Sequence, residues 1–244
     1  MDEYGNFAYA YDASLGRRFA EAITELLEWS MARHPTRDTT HFDLACGTGL
    51  TLGWFRSKGF RSFGGDGSMA MLELARKHGS VVALDFRALA LRGRFSRITC
   101  LYDSLNHLLH RGDLVETFTE VRRLMDEESL FLFDMNHPNA YRTVWATKDP
   151  FISKGKSHYL SMTTSYSSFT HLGSAKITGW AMIGGKRVAI DEAHQQRSYR
   201  QTEIIAALRA AGLEPVEAIR FDPFHPDGLL AGGDVKYFFV ARRA

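Results

Sequence analysis

The residues best suited to chemistry are Asp43, Leu44, Ala45, Cys46, Gly47, Thr48 and Gly49, a glycine-rich turn that closes the short apolar run from His41 to Ala45. Glycine there lets backbone approach a ligand closely, and a helix starting just after it offers unpaired amide donors. Asp66 stands 23 residues after Asp43, a separation that puts its carboxylate at the tip of the neighbouring strand, where it can accept both hydroxyls of a ribose. A third carboxylate, Asp85, ends a third run and precedes Phe86, which suits an adenine amino group beside an aromatic wall. Aspartates also cap helices and form turns. Three at successive strand ends beside a glycine loop point instead to one nucleoside-sized ligand.

The elements that must position these groups follow from periodicity. Leu15, Phe19, Ile23 and Leu26, with Leu27 beside them, recur at helical spacing and predict an opening amphipathic helix. Leu52, Trp54 and Phe55 suggest a second helix stopped by Gly59, and Ser62 to Gly65 a strand. Ser68 is placed to cap a helix carrying Met71, Leu72 and Ala75, with basic residues in its last turn before Gly79. Val81 to Leu84, Ile98 to Tyr102 and Leu130 to Phe133 read as strands apolar for their whole length, as in a sheet covered on both faces. A helix from Asp113, with Glu116 as a capping-box partner, buries Leu114, Phe118, Val121 and Met125. This alternation predicts an α/β protein with a mostly parallel sheet and helices on both faces.

From Phe151 to Tyr199 the chain turns rich in Ser, Thr and aromatics and holds a hairpin signal at Gly184 and Gly185, which predicts an antiparallel β insertion. A helix from Thr202 to Ala211, a strand from Val216 to Phe221 and a last strand from Val235 to Ala241 return to the main sheet. The long loop between those strands, with Pro223, His225, Pro226, Gly232 and Gly233, has the length of a functional loop or a plain surface excursion. The predicted division is therefore residues 1–150 as a cofactor-binding core with an N-terminal helical lid, 151–199 as the insertion, and 200–244 as the return to the core.

Composition sets the outer limits. With 244 residues, 45% hydrophobic and 24% charged, the chain is long enough to bury a core without disulfides or a structural metal. Lys and Arg number 30 against 28 Asp and Glu, a balance that argues against a grip on nucleic acid. Cys46 and Cys100 sit in apolar runs and read as small core or loop-lining groups. The first residues, with Asp2 and Glu3, lack the pattern of a signal peptide, and no run of about 18 apolar residues occurs, so a cytoplasmic location away from membranes is expected. No His, Cys or carboxylate spacing suggests a metal site.

A dinucleotide and S-adenosylmethionine both fit three converging strand tips. The dinucleotide fingerprint is GxGxxG, whereas Gly47, Gly49 and Gly53 give GxGxxxG, with Leu52 where the third glycine belongs. In motif order, the sequence resembles the Rossmann-like S-adenosylmethionine-dependent methyltransferases. Asp43 to Gly49, DLACGTG, looks like their cofactor loop; Gly65, Asp66, Gly67 and Ser68 with Met71 and Leu72 resembles their second motif, and Asp85, Phe86 and Arg87 the third. LYDSLNHL from Leu101, FDMN from Phe133 and DEAHQQRSY from Asp191 are similar to a subgroup of small bacterial members. Two positions depart: Phe95, Ser96, Arg97 lacks the acidic residue that often opens the fourth strand, and Gly64 stands where an apolar residue is common.

The resemblance implies a Rossmann-like three-layer sandwich with a seven-stranded sheet whose last strand is antiparallel, and S-adenosylmethionine as cofactor. It implies that Ala45, Cys46 and Gly47 pass along the methionine part and ribose, that Asp66 holds the ribose diol, and that Gly67, Met71, Asp85 and Phe86 border the adenine. Leu101, Tyr102 and Asp103 would lie next to the sulfonium, and Tyr11 would close over the cofactor. A small-molecule acceptor, a nitrogen above all, is expected, with the insertion as a roof over the substrate and a monomer or homodimer as the assembly. Candidates for acceptor contact are Asp103, Asn106, His107 and His137, and from the insertion Trp180, His194 and Arg197. Each also has a structural explanation: His107 and His194 as hydrogen-bonded histidines, Arg197 as a partner of Asp191 or Glu192, Trp180 as insertion core. A nucleic-acid methyltransferase would be expected to carry a (D/N)PPY-like motif after the fourth strand, where this chain has Tyr102, Asp103, Ser104 and Leu105. A protein methyltransferase and a nonenzymatic S-adenosylmethionine-binding protein are the remaining alternatives.

Overall fold

The structure is a computed structural model that describes residues 4–147, 149–223, 225 and 232–244. Pro226 and most of its loop lie outside the described residues. The chain runs α1 (Phe7–Tyr11), a π-helical turn (Asp12–Gly16), α2 (Arg17–Arg33), β1 (Thr40–Leu44), α3 (Leu50–Ser57), β2 (Arg61–Asp66), α4 (Met69–Ala75), β3 (Ser80–Ala83) and β4 (Arg97–Cys100). It continues with a 3-10 turn (Ser104–His107), α5 (Arg111–Arg123), β5 (Leu130–Asn136) and α6 (Pro138–Ala140). The four strands β6 (Phe151–Lys154), β7 (His158–Ser167), β8 (Leu172–Ile183) and β9 (Lys186–Arg197) precede α7 (Gln201–Ala210), β10 (Leu213–Phe221) and β11 (Lys236–Arg243).

Seven strands form one sheet in the order β10-β11-β5-β4-β1-β2-β3. β1 to β5 pair in parallel, and β11 inserts antiparallel between β5 and β10. Side-chain alternation on its central strands builds two cores. Phe131, Phe133, Phe239 and Ala241 face α5 and α7, while Leu130, Leu132, Phe238 and Val240 face α2 and α3. Phe133 stacks on Phe239 at a centroid distance of 5.0 Å, so the reversed strand is keyed to β5 by its aromatic rows as well as by backbone pairing.

The expected helix cap at Ser68 is present, its hydroxyl accepting the Met71 N–H at 3.3 Å. The helix expected from Asp113 starts two residues earlier, after His110, because Arg111 and Gly112 already take helical geometry. β3, expected to be covered on both faces, instead lies at the sheet edge with most of its residues exposed. An apolar run alone does not tell a central strand from an edge strand.

The other four strands form a separate antiparallel sheet, β6-β7-β8-β9, with the expected turn at Gly184 and Gly185 joining β8 to β9. Its inward residues Leu160, Ile177, Ala181 and Ile190 pack on Phe7 and Ala10, so α1 lies between this sheet and the mouth of the main one. No helix among the described residues is long and apolar enough to cross a membrane.

Candidate active site

The parallel strands all end at one edge, and there the turn after β1 bends sharply. Ala45, Gly47 and Gly49 take φ of 56°, 52° and 83°, in the left-handed region that disfavours side chains. A Cβ built on Gly47 would meet no atom within 4 Å, so this backbone faces open space, as a surface meant for a ligand should. Asp66 braces the turn, accepting the Gly47 N–H and the Ser68 N–H at 2.8 Å each. Gly64 has a local reason: a Cβ there would sit 2.8 Å from Cys46 Sγ, so the missing side chain makes room for the thiol of the loop.

These groups line a cleft of about 360 Å³. Of the residues expected at the cofactor, Ala45, Cys46, Gly47, Asp66, Gly67, Met71, Phe86, Tyr102 and Tyr11 border it. Three do not. Asp43 lies buried beneath the turn, accepting from Thr99 Oγ1 at 2.5 Å. Leu101 packs into the core on the α2 side. Asp85 is half exposed and paired with Arg87 at 2.6 Å; the hydrogen bonds from that guanidinium hold its carboxyl below the usual range. Cys46 and Cys100 are both free and buried.

A second cavity, of about 470 Å³, lies between the strand edge and the insertion sheet. It shares Tyr4, Tyr11, Tyr102 and His107 with the cleft, so these four side chains form the partition between the two spaces. Of the residues expected at the acceptor, Asp103, His107 and His194 line it, and Asn136 and Gln196 join them. Trp180 and Arg197 do not. Trp180 alternates with the inward Ile177 and Ala181 and lies on the other face of β8, its ring covered by the Arg187 guanidinium at 4.3 Å. Arg197 sits over the Tyr199 ring, and its carbonyl accepts from Asn106 Nδ2 at 2.7 Å, which ties β9 to the turn after β4. His137 flanks this region against Tyr237, its Nδ1 accepting the Asn139 N–H.

The turn after β4 depends on residues that sequence spacing did not single out. Tyr102 and Asp103 are consecutive left-handed residues, with φ of 61° and 53°. Such backbone persists only where its surroundings hold it. The buried Asp134 carboxylate accepts both of their N–H groups, and Lys236 Nζ bridges Asp134 and Asp103 at 2.6 Å each. Burial alone would pull Lys236 down, but the two carboxylates facing it hold its ammonium above the ordinary value. Gln196 Nε2 donates to the other oxygen of Asp103 at 2.6 Å. The N-terminal segment is fastened on several sides: Thr48 Oγ1 donates to Asp12 at 2.7 Å, Tyr9 to Glu73 at 2.9 Å, and Tyr4 Oη lies 3.2 Å from His107 Nε2.

Residues 42–128, which run from within β1 to just beyond α5, match the family model described as Methyltransferase domain. The protein YqeM of Bacillus subtilis (strain 168) is 26% identical over 219 residues, 86% of each chain. The dTDP-3-amino-3,6-dideoxy-alpha-D-glucopyranose N,N-dimethyltransferase of Streptomyces fradiae is 33% identical over 119 residues, 46% of each chain. Among solved structures, a S-adenosylmethionine-dependent methyltransferase from Clostridium acetobutylicum ATCC 824 matches with a TM-score of 0.78, at 22% identity and 99% coverage of both chains. Residues 42–128 therefore carry the sequence pattern of a methyltransferase domain. Its fold is the Rossmann-like methyltransferase fold, with a mostly parallel seven-stranded sheet.

The lining of the cleft suits S-adenosylmethionine by donor chemistry. It offers an anionic acceptor in Asp66, apolar plates in Met71 and Phe86, and a side-chain-free approach at Gly47. Among the described residues no group of three or more His, Cys, Asp or Glu is placed to hold a metal.

Asp43 adds a pH term to the domain. Burial, opposed by the Thr99 hydrogen bond, pushes its carboxyl up to about 7, with the Asp66 charge adding to the rise. A folded-state value above the unfolded one means that the native state binds the extra proton between about pH 4 and 7. Its contribution to stability is therefore present at low pH and lost as pH rises through that window. Asp43→Asn should flatten this part of the stability profile, measured by urea unfolding from pH 4 to 8. A profile as steep as that of the wild type would assign the slope to other groups.

Proposed function

We propose that the chain transfers the methyl group of S-adenosylmethionine to the nitrogen of a small-molecule amine held in the second cavity. The observation that carries this reading is the shared wall: two adjoining spaces, one with a nucleoside-type lining and one beneath the insertion sheet, divided only by Tyr4, Tyr11, Tyr102 and His107. The second space is lined by Asp103, Asp149 and Asp222 against Arg18 and Lys236 among the described residues, an acidic excess that favours a cationic guest such as an ammonium. Its volume suits one drug-sized molecule, and the enclosure and near-neutral chain charge disfavour a polyanion. The partial relative that methylates an amino sugar, and a sugar N-methyltransferase of similar fold from Streptoalloteichus sp ATCC 53650 (TM-score 0.74, 19% identity, 94% of this chain and 89% of that one), support nitrogen as the acceptor.

Bound S-adenosylmethionine supplies a methyl group already activated by positive sulfur. The protein's share is alignment and exclusion of water. Asp66 would hold the ribose diol, Gly67, Met71 and Phe86 the adenine, and Ala45, Cys46 and Gly47 the methionine part, with Tyr11 closing over them. Residues 1–150 and 200–244 form the cofactor-binding core in this reading, and 151–199 form the roof that selects the acceptor. Orienting two reactants in this way supplies up to about 7–11 kcal/mol of barrier reduction. Asp103, Gln196 and His194 would contact the acceptor from the floor and roof of its cavity. The protein would act in the cytoplasm, as a monomer or homodimer, on a metabolite and not on nucleic acid.

The test is a transfer assay with S-adenosylmethionine and an amine panel headed by dTDP-3-amino-3,6-dideoxy-α-D-glucopyranose. Formation of S-adenosylhomocysteine with one amine is the expected result. Tight cofactor binding without turnover on any amine, alcohol or oligonucleotide would favour a nonenzymatic binding role, and turnover on the oligonucleotide alone would move the substrate class.

A further inference from the structure

The insertion carries Lys154, Lys156, Lys176 and Lys186, yet all four are exposed and none of them lines the second cavity. Strand alternation explains Lys176, which points outward between the inward Ala175 and Ile177. The register lays the inward residues in rows across the sheet. One row runs from His194 on β9 through Ala175 on β8 to Thr164 on β7; the next runs from Glu192 through Ile177 and Met162 to Phe151 on β6. Every member of these rows except Glu192 lines the cavity. The sheet therefore presents a graded wall, polar at β9 and apolar but for one hydroxyl from β8 to β6, over three strand spacings or about 14 Å.

The polar end adjoins the partition. Gln196 Nε2 donates to Asp103 at 2.6 Å and lies 3.3 Å from His107 Nε2, and His107 also borders the cleft. Toward the other end, the half-buried Met162 and Phe151 offer a guest hydrophobic and dispersion contact. Trp145 adds an aromatic plate, seated against β8 where Gly173 leaves room: a Cβ there would come within 2.8 Å of the indole. Phosphate recognition asks for guanidinium or ammonium groups with charge to spare. Among the described residues two such cations line the cavity, Arg18 and Lys236. Lys236 Nζ is already bridged between Asp103 and Asp134 at 2.6 Å each, with the Phe19 ring 5.7 Å away, and Arg18 is outnumbered by Asp149 and Asp222.

We infer that the acceptor is an amine borne on an elongated apolar body, its nitrogen at the β9 end beside Asp103 and Gln196 and its body laid along Ile177, Met162 and Phe151. The inference rests on the amine reading above and narrows it. A nucleotide-linked sugar, the substrate named for the partial relative, would set two phosphate charges against a wall without a cation, in a space whose acids outnumber its bases. An alkyl or arylalkyl ammonium keeps its charge near a carboxylate and takes apolar surface out of water along the rest of the wall. The rows also set a length: the body reaches two to three strand spacings, about 10–14 Å, beyond the nitrogen.

The test measures methyl transfer by the wild type to n-alkylamines from propylamine to octylamine, to 4-phenylbutylamine and to dTDP-3-amino-3,6-dideoxy-α-D-glucopyranose. Each methylene buried along the wall should raise kcat/KM by about three- to fourfold. The gain should appear in KM with kcat nearly constant, because a body remote from the nitrogen binds ground state and transition state alike. The nucleotide-linked sugar should fall about 100-fold or more below octylamine. The double variant Met162→Ser, Phe151→Ser should lose about 10-fold on octylamine and less than about threefold on propylamine, with S-adenosylhomocysteine affinity within a factor of about two of wild type as the sign that it is folded. A wild-type rate that does not rise with chain length, or a nucleotide-linked sugar preferred over every alkyl and arylalkyl amine, would overturn the inference while leaving the amine reading intact. Equal losses on octylamine and propylamine in the folded double variant would also overturn it. Absence of transfer by the wild type to every amine would overturn both.

Discussion

Asp66→Ala is expected to weaken S-adenosylmethionine binding by about 100-fold or more. Hydrogen bonds to a charged group contribute about 1.5–3 kcal/mol each, and a ribose diol offers two. About 3 kcal/mol corresponds to two decades of affinity. The carboxylate also accepts the amides of Gly47 and Ser68, so its loss frees the cofactor turn from the start of α4 as well. Asp66→Asn separates the two effects, since it keeps the shape but turns one acceptor into a donor facing an amide; its loss should be intermediate. Calorimetry on all three proteins measures this. An unchanged affinity in the alanine variant would remove Asp66 from the ribose role.

Lys236→Met should be the most destabilising single change near the site. Lys236 and Asp134 are both almost wholly buried, at 4% and 1% exposure, and Asp103 shares the same ammonium. Removing one partner of a buried ion pair costs about 3–5 kcal/mol, because the remaining charge is stranded. For a chain of this size that lowers the melting temperature by about 10 °C. The sign of the pH dependence is fixed too. The stranded Asp134 carboxylate, already pushed up by burial, would titrate higher in the folded variant than in the unfolded chain, so the deficit shrinks as pH falls and protonates it. Adding Asp134→Asn to Lys236→Met should restore part of the loss at neutral pH, though the Tyr102 and Asp103 amides then lose their charged acceptor. Thermal unfolding at pH 5 and 7.5 tests the set, and a Lys236→Met variant as stable as the wild type at pH 7.5 would refute the argument.

What the sequence discloses about this site follows a physical divide. Asp43, the glycine turn and Asp66 are legible because they are local: strand end, turn and helix start follow one another within a few residues, and each leaves its own pattern. Lys236 is not legible, since its partners Asp103 and Asp134 are more than 100 residues away in the chain and meet it only because β11 folds back beside β5. Trp180 and Gln196 show a middle case. The alternation of Ala175, Ile177 and Ala181 on β8, and of Ile190, Glu192, His194 and Gln196 on β9, would have turned Trp180 outward and Gln196 inward. Applying it needed to know which face of the insertion sheet is covered, and α1, which covers it, lies more than 140 residues upstream. Asp85 stands outside the cleft lining for a local reason, because Arg87 two positions on takes up its carboxylate.

The N-terminal segment touches the glycine turn through Asp12, the insertion sheet through Phe7 and the partition through Tyr4 and Tyr11. A single short stretch of chain is thus part of the walls of both spaces. Whatever free energy one guest contributes to ordering that stretch is already spent when the second guest arrives, so the two affinities are linked thermodynamically. Linkage is reciprocal: the factor by which cofactor tightens acceptor binding must equal the factor by which acceptor tightens cofactor binding.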